Sequence, residues 1–160
     1  MSGLVVKTAV VPNSPAVVEA VVVNDGWFPN IDPVQLRNEY RIRASVTPER
    51  LRKAIIGAII KAGNQLEAWQ AERIALVPTG LIDVPAKTID GESRYVLLYQ
   101  RAIGSYTKAE LVEEYRDTDT TTAGQRDVDD LEPSIAELRR DGLYAIRDIL
   151  GRPRVRSELI

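Results

Sequence analysis

The chain contains no histidine and no cysteine, and each absence removes a class of chemistry. Without histidine, the usual general base near neutral pH is missing, so Ser-His, Cys-His and HExxH mechanisms are excluded. Without cysteine there is no disulfide and no thiolate metal site, and any core must hold without staples. No GxxxxGK[ST] loop and no GxGxxG turn occurs. An excess of basic charge is lacking as well. The 21 Lys and Arg residues face 23 Asp and Glu residues for a net charge of −2, which is not the electrostatic footprint of an autonomous duplex-DNA binder. Long hydrophobic runs are missing too. The valine-rich first residues are broken by Lys7, Pro12, Pro15 and Glu19, leaving stretches too short for a membrane span. Since no nucleophile–base pair can be named, the sequence points away from an enzyme.

What is present is helical patterning. A chain of 160 residues is the size of one domain, and it can bury roughly 70% of its unfolded surface. Residues 1–26 have strand composition, "AVVEAVVV" followed by the turn signal Asn24-Asp25-Gly26. They read as an extended arm that pairs with another subunit or stays mobile. From Ile31 the signals become helical. Asp32 caps, Pro33 suits the first helical position, Gln35 sits where a capping-box partner would, and Ile31 and Leu36 form a staple; this predicts a helix of about three turns. Thr47, Pro48, Val46 and Leu51 repeat the pattern. Leu51, Ile55, Ala58, Ile59, Ala62, Leu66 and Trp69 then keep helical spacing. Gly57 and Gly63 interrupt that helix, either for the close approach of another helix or as tolerated weak points. After a loop broken by Pro78, Gly80 and Pro85, Asp90 is expected to cap a third helix running to about Tyr115, with Tyr95, Leu98, Tyr99, Ala102, Tyr106 and Ala109 as its stripe. Leu131, Ile135, Leu138, Gly142, Ala145 and Ile149 share a face of the last helix, which Gly151 and Pro153 end. The expected fold is all-α: a small bundle of about four helices over residues 27–151, with extended arms at 1–26 and 152–160.

The stretch "DTDTTTAGQRDVDD" needs its own reading. It carries Asp117, Asp119, Asp127, Asp129 and Asp130 and has Val128 as its one large apolar residue. A calcium loop starting at Asp117 would need glycine at its sixth position and glutamate at its twelfth; Thr122 and Val128 stand there. It joins two amphipathic helices that each need a partner, so it is no interdomain linker. It reads as a mobile acidic loop, 117–130, without a metal. Other clusters are plain: Glu113 and Glu114 suit a solvated helix face, and Arg139 and Arg140 face solvent or phosphate. Trp27 and Phe28, outside any helix, either plug the domain's own core or contact another chain.

The order of segments adds a resemblance. "FPNIDPVQLRNEYRI", "TPERLRKAI", "DVPAKTIDGES", "YQRAI" and "IAELRRDGLYAIRDILGRPRV" resemble, in that order and with similar spacing, the GpL head completion proteins of contractile-tailed temperate phages. The resemblance spans Phe28 to Ile160 and carries nothing over to the first 26 residues. It implies a virion protein of the neck, made in the host cytoplasm: a helical head–tail adaptor. Such adaptors form a ring, expected to be twelvefold, docked under the portal protein. The ring meets the tail terminator or next neck protein, and packaged double-stranded DNA passes through its lumen without sequence-specific binding. No cofactor and no membrane contact are implied. In such rings the C-terminal segment reaches the portal. Here that segment is Arg152, Pro153, Arg154, Val155, Arg156, Leu159 and Ile160 with their neighbours, whose alternating arginines suit a strand added to a partner's sheet edge; the plain alternative is a frayed terminus. The aspartates of the loop would then face the channel or the next ring, where negative charge disfavours tight phosphate contact. The other reading of the residues is a small acidic regulatory or antitoxin-like binding protein.

Overall fold

Two of the helices begin at a proline that follows a capping side chain. In the computed structural model, which describes residues 19–77, 79–116 and 133–153, the Asp32 carboxylate accepts the amide N–H groups of Val34 and Gln35 at 2.8 and 3.4 Å, and α1 (Pro33–Glu39) starts there. Ile31 and Leu36 are both buried, as a staple requires. Gln35 does not close a capping box; its amide donates to Glu39 at 2.7 Å. The helix also stops sooner than its expected three turns. Arg41 takes the left-handed conformation (φ 51) and the Ile42 amide donates back to the Arg37 carbonyl at 3.0 Å. This turn puts the Tyr40 ring on α3 and buries Ile42, contacts that local helix propensity cannot see.

The Thr47 hydroxyl accepts the Arg50 amide at 3.4 Å and opens α2 (Pro48–Ile74). With 27 residues, α2 is about 40 Å long. Its expected stripe is its buried face: Leu51, Ile55, Ala58, Ala62, Leu66 and Trp69, with Ala54 added and Ile59 half-covered. The two glycines divide. A Cβ on Gly57 would meet the Glu110 carboxylate of the third helix at 2.7 Å, whereas Gly63 faces open space.

The expected cap at Asp90 is replaced by a different element. Asp90 and Gly91 both have positive φ (51 and 79) and form the two-residue turn of a small hairpin, β1 (Thr88–Ile89) against β2 (Glu92–Ser93). Asp-Gly is the dipeptide such a turn prefers, because both central residues must be left-handed. Helix α3 (Arg94–Arg116) therefore starts after the hairpin, not at Asp90.

Helix α3 is the centre of the fold. Residues 102–109 are buried without interruption, so the expected tyrosine stripe describes only part of its covered surface. It packs against α2 and, more extensively, against α4 (Ile135–Ile149). A capping box starts α4: the Ser134 hydroxyl accepts the Glu137 amide at 3.2 Å, and Glu137 accepts the Ser134 amide at 2.8 Å. Leu138, Gly142, Ala145 and Ile149 are buried as the pattern predicts, joined by Ile146. Gly151 (φ 66) closes the helix as expected, with Gly151 donating to Asp148 and Arg152 to Arg147. Among the described residues the fold is thus four α-helices with one minimal hairpin, the expected all-α class.

The boundary expected at residue 26 falls inside packed structure. Val22 is buried and exchanges both backbone hydrogen bonds with Ile31, at 2.8 and 3.0 Å. Glu19 pairs with Arg37, and the Asn24 amide donates to the Tyr99 hydroxyl at 2.8 Å. Residues 19–26 therefore belong to the bundle; residues 1–18 lie outside the described part.

Candidate interaction surfaces at the two ends of the bundle

Helices α2, α3 and α4 run alternately up and down, and contacts along them define two ends. At one end Lys53 of α2 bonds Glu114 of α3 at 2.9 Å, and Arg139 of α4 pairs with Glu113. In the middle, Tyr106 of α3 lies on Gly142 of α4 and its hydroxyl donates to Gln65 of α2 at 3.3 Å. At the other end Trp69 of α2 meets Tyr95 of α3, ring to ring at 5.4 Å, and Leu98 and Arg101 of α3 line a small recess with Tyr144, Ala145 and Asp148 of α4. The second end thus gathers the C-terminus of α2, the hairpin, the start of α3 and the end of α4.

The first end is polar. Glu113 and Glu114 take part in ion pairs across helices, and Arg139 is used in one of them, on an exposed surface; such pairs contribute little to stability. Glu110, lying over Gly57, has its carboxyl pushed above the usual carboxylate range, first by burial and then by the neighbouring Glu114. Glu137, by contrast, is held low by the Ser134 backbone N–H and hydroxyl. The chain leaves α3 at Arg116 and re-enters at Pro133 on this end. Asp117, Asp119, Asp127, Asp129 and Asp130 fall between and lie outside the described residues, as does the expectation that they hold no metal.

The second end is built on aromatics. Trp27 and Phe28 are 7% and 4% exposed, so they fill this chain's own core and leave little surface for another chain. Phe28 stacks on Tyr99 with centroids 4.5 Å apart, and Trp27 meets both Phe28 and Trp69 edge-on. The Trp27 indole N–H donates to the Val77 carbonyl at 3.0 Å, and its own carbonyl accepts the Leu81 amide at 2.9 Å. The loop after α2 is therefore fastened to the core, while its apolar tips are not covered. Leu76, Ile82 and Ile89 are 73%, 71% and 55% exposed. Residues 85–92 are exposed throughout. Sequence reading passed over this set; the Asp90-Gly91 turn signal was the clue to it. Arg152 and Pro153 emerge exposed at this same end, and Arg154, Val155, Arg156, Leu159 and Ile160 lie outside the described residues. No helix among the described residues is long and apolar enough to cross a membrane.

Among the described residues the bundle thus presents two separate ends, one polar and one with fixed apolar tips. The model of the phage head completion protein (GPL) family matches residues 22–160, and the chain belongs to that family of structural phage proteins. It is 40% identical over 147 residues to the head completion/stabilization protein of Escherichia phage P2, an alignment covering 92% of this chain and 86% of that one. The family match begins at residue 22, inside the segment where Val22 and Asn24 join the core, rather than at the residue 28 expected from sequence. No solved structure shows significant similarity.

Proposed function

We propose that this head completion protein is the adaptor between head and tail: a ring of copies under the portal protein, continuing the DNA channel and offering its far side to the tail terminator or next neck protein. The observation that supports this best is the opposition of the two ends. An axial adaptor needs two different docking surfaces, and the bundle separates them by the length of α3, whose 23 residues span about 34 Å. The C-terminal tail from Arg152 to Ile160 leaves one end and anchors the portal as an added strand. The acidic stretch from Asp117 to Asp130 leaves the other, where its charge repels phosphate and lets DNA pass without adhering. Deleting Arg152–Ile160 keeps the helical circular-dichroism signal and abolishes co-sedimentation with portal rings; a truncated chain that still docks normally refutes the anchor. Changing the five aspartates to asparagine alters DNA retention in assembled particles and leaves the melting temperature nearly unchanged.

A further inference from the structure

The flank of the bundle carries an apolar surface of its own. On the outer face of α2, Ile56 and Ile60 lie one turn apart and are 42% and 58% exposed, and Gly63, on the next turn, faces open space. Residues 20–25 run beside this face: Arg52 Nη1 donates to the Ala20 carbonyl at 3.1 Å, and Gln70 donates to the Asp25 carboxylate at 2.7 Å. Arg52, Ile56, Gly63 and Gln70 follow one line of the helix. Val21 and Val23, which point away from buried Val22, therefore extend the same apolar strip. The other flank is α4. Its outer face holds Arg140, Leu143 and Arg147 on successive turns, and Leu143 is 41% exposed. We propose that copies of this chain join side to side, the outer face of α4 in one copy lying on the Ile56–Gly63 face of α2 in the next, with Leu143 over Gly63 and Arg147 against Glu67. The proposal rests on the ring reading above and adds to it which two faces close the ring.

Three observations single out a second copy as the occupant. The first is placement. Helix α3 lies between α2 and α4, which barely touch, so their outer faces look to different sides of the molecule. A contact between two different faces is head-to-tail, the kind that closes into a ring, whereas one face meeting itself stops at a dimer. The second is height. Tyr106 rests on Gly142 and bonds Gln65, which puts Gly142 of α4 level with Gln65 of α2, and the two helices run in the same direction. With docking ends above and below, the bundle lies along the ring axis, and rotation about that axis moves no residue up or down. At about 1.5 Å per residue, Leu143 then comes within about 5 Å of the height of Gly63, and Arg147 within about 5 Å of that of Glu67, in each case less than one helical turn. The third is chemistry. Glu67 is exposed, and among the described residues neither it nor Arg147 makes an ion pair. Bringing the two together at the edge of an apolar contact fixes its register. Gly63 leaves a gap that no described residue fills, and Leu143 is an apolar knob at the matching height. Glycine there costs about 1 kcal/mol relative to alanine in a helix interior, and a close helix neighbour accounts for it.

The chain has no cysteine, so a pair placed on the two faces reports on their contact alone, and within one copy α3 keeps the pair apart. Phage particles are assembled with Gly63→Cys, with Leu143→Cys and with both, then oxidised. The doubly substituted chain is expected to give a disulfide-linked ladder of dimers and higher multimers on a non-reducing gel, and each single variant to stay monomeric. A ladder missing from the double variant, while glutaraldehyde still links neighbouring copies into multimers, overturns the interface and leaves the ring standing. If glutaraldehyde links no copies to one another, the ring reading fails and takes this inference with it. Dimers from Gly63→Cys alone would mean that α2 meets α2, and the head-to-tail contact is wrong. Hydroxyl-radical footprinting of the unaltered chain, as dilute monomer and in particles, does not depend on any variant assembling. At least threefold less labelling at both Ile60 and Leu143 supports the interface, and protection at only one of them, or at neither, refutes it.

Discussion

The middle of the bundle and its hairpin end use similar side chains in opposite ways. In the middle, Ile55, Ile103 and Tyr106 are sealed between helices, and rings press on glycines so closely that an added Cβ on Gly104 would lie 2.0 Å from the Tyr40 ring. At the end, Leu76, Ile82 and Ile89 stand in solvent on fixed backbone. The difference teaches that hydrophobicity alone does not assign a residue its task. Close packing makes an apolar side chain a stability element; a fixed frame without cover makes it a surface for something else.

Substitutions can sharpen or break this contrast. The largest effect belongs to the sealed side chains. Ile55→Ala and Leu138→Ala, on side chains 0% and 5% exposed, should each cost about 2–5 kcal/mol in urea denaturation; a loss below about 1 kcal/mol at both would erase the special status of the sealed side chains. Next comes Gly104→Ala, which should cost about 1–3 kcal/mol by overpacking the Tyr40 ring. In the double variant with Tyr40→Ala, the penalties should fall short of additive, since the clash has no partner left.

Alkali offers a third comparison. Burial raises the Tyr99 hydroxyl from 10.0 to about 12, and the Asn24 hydrogen bond lowers it only in part. A phenol raised on folding stabilises the fold fully below its unfolded pKa and loses that contribution as pH rises through the folded value. Stability should therefore fall between about pH 10 and 12, and Tyr40 and Tyr106, also raised by burial, act in the same direction. Tyr99→Phe should flatten the thermal-melt profile over this window; an unchanged slope would remove Tyr99 from the account. A smaller effect is expected at the hairpin. Gly91→Ala, at φ +79 in open space, should cost about 1 kcal/mol of local strain, read as faster amide exchange confined to residues 88–93. Smallest of all, Ile82→Ser alone should shift global stability by no more than about 0.5 kcal/mol. A larger loss by denaturant titration would mean that the end is core after all.

The hairpin shows where sequence reading misassigned an element. Asp90 carries the right chemistry for a helix cap and the right chemistry for a left-handed turn, and both lie just before α3. The following glycine decided between them, because two consecutive left-handed residues close a hairpin whose Arg94 amide then finds Lys87. Trp27 and Phe28 were ambiguous for a different reason: no helical periodicity surrounds them, so their burial depends on Trp69 and Tyr99, far along the chain. Gly104 and Gly142 drew no attention as contact points, since a ring seated on a glycine leaves no local signal.

By itself the sequence determined where α1 and α2 start, where α3 and α4 stop, which face of α2 and α4 is buried, and which chemistries are absent. Caps, prolines at first positions, the glycine after α4 and apolar spacing act within a few residues, so they can be read along the chain. Only the tertiary structure decided that α3 is buried without a break over residues 102–109, that residues 19–26 join the core, that Tyr40 and Tyr106 seat on Gly104 and Gly142, and that the exit of the C-terminal tail shares an end with Leu76, Ile82 and Ile89. Each of these depends on which helices lie side by side and in which direction. That choice is made by burying several apolar faces at once, and no single segment carries it.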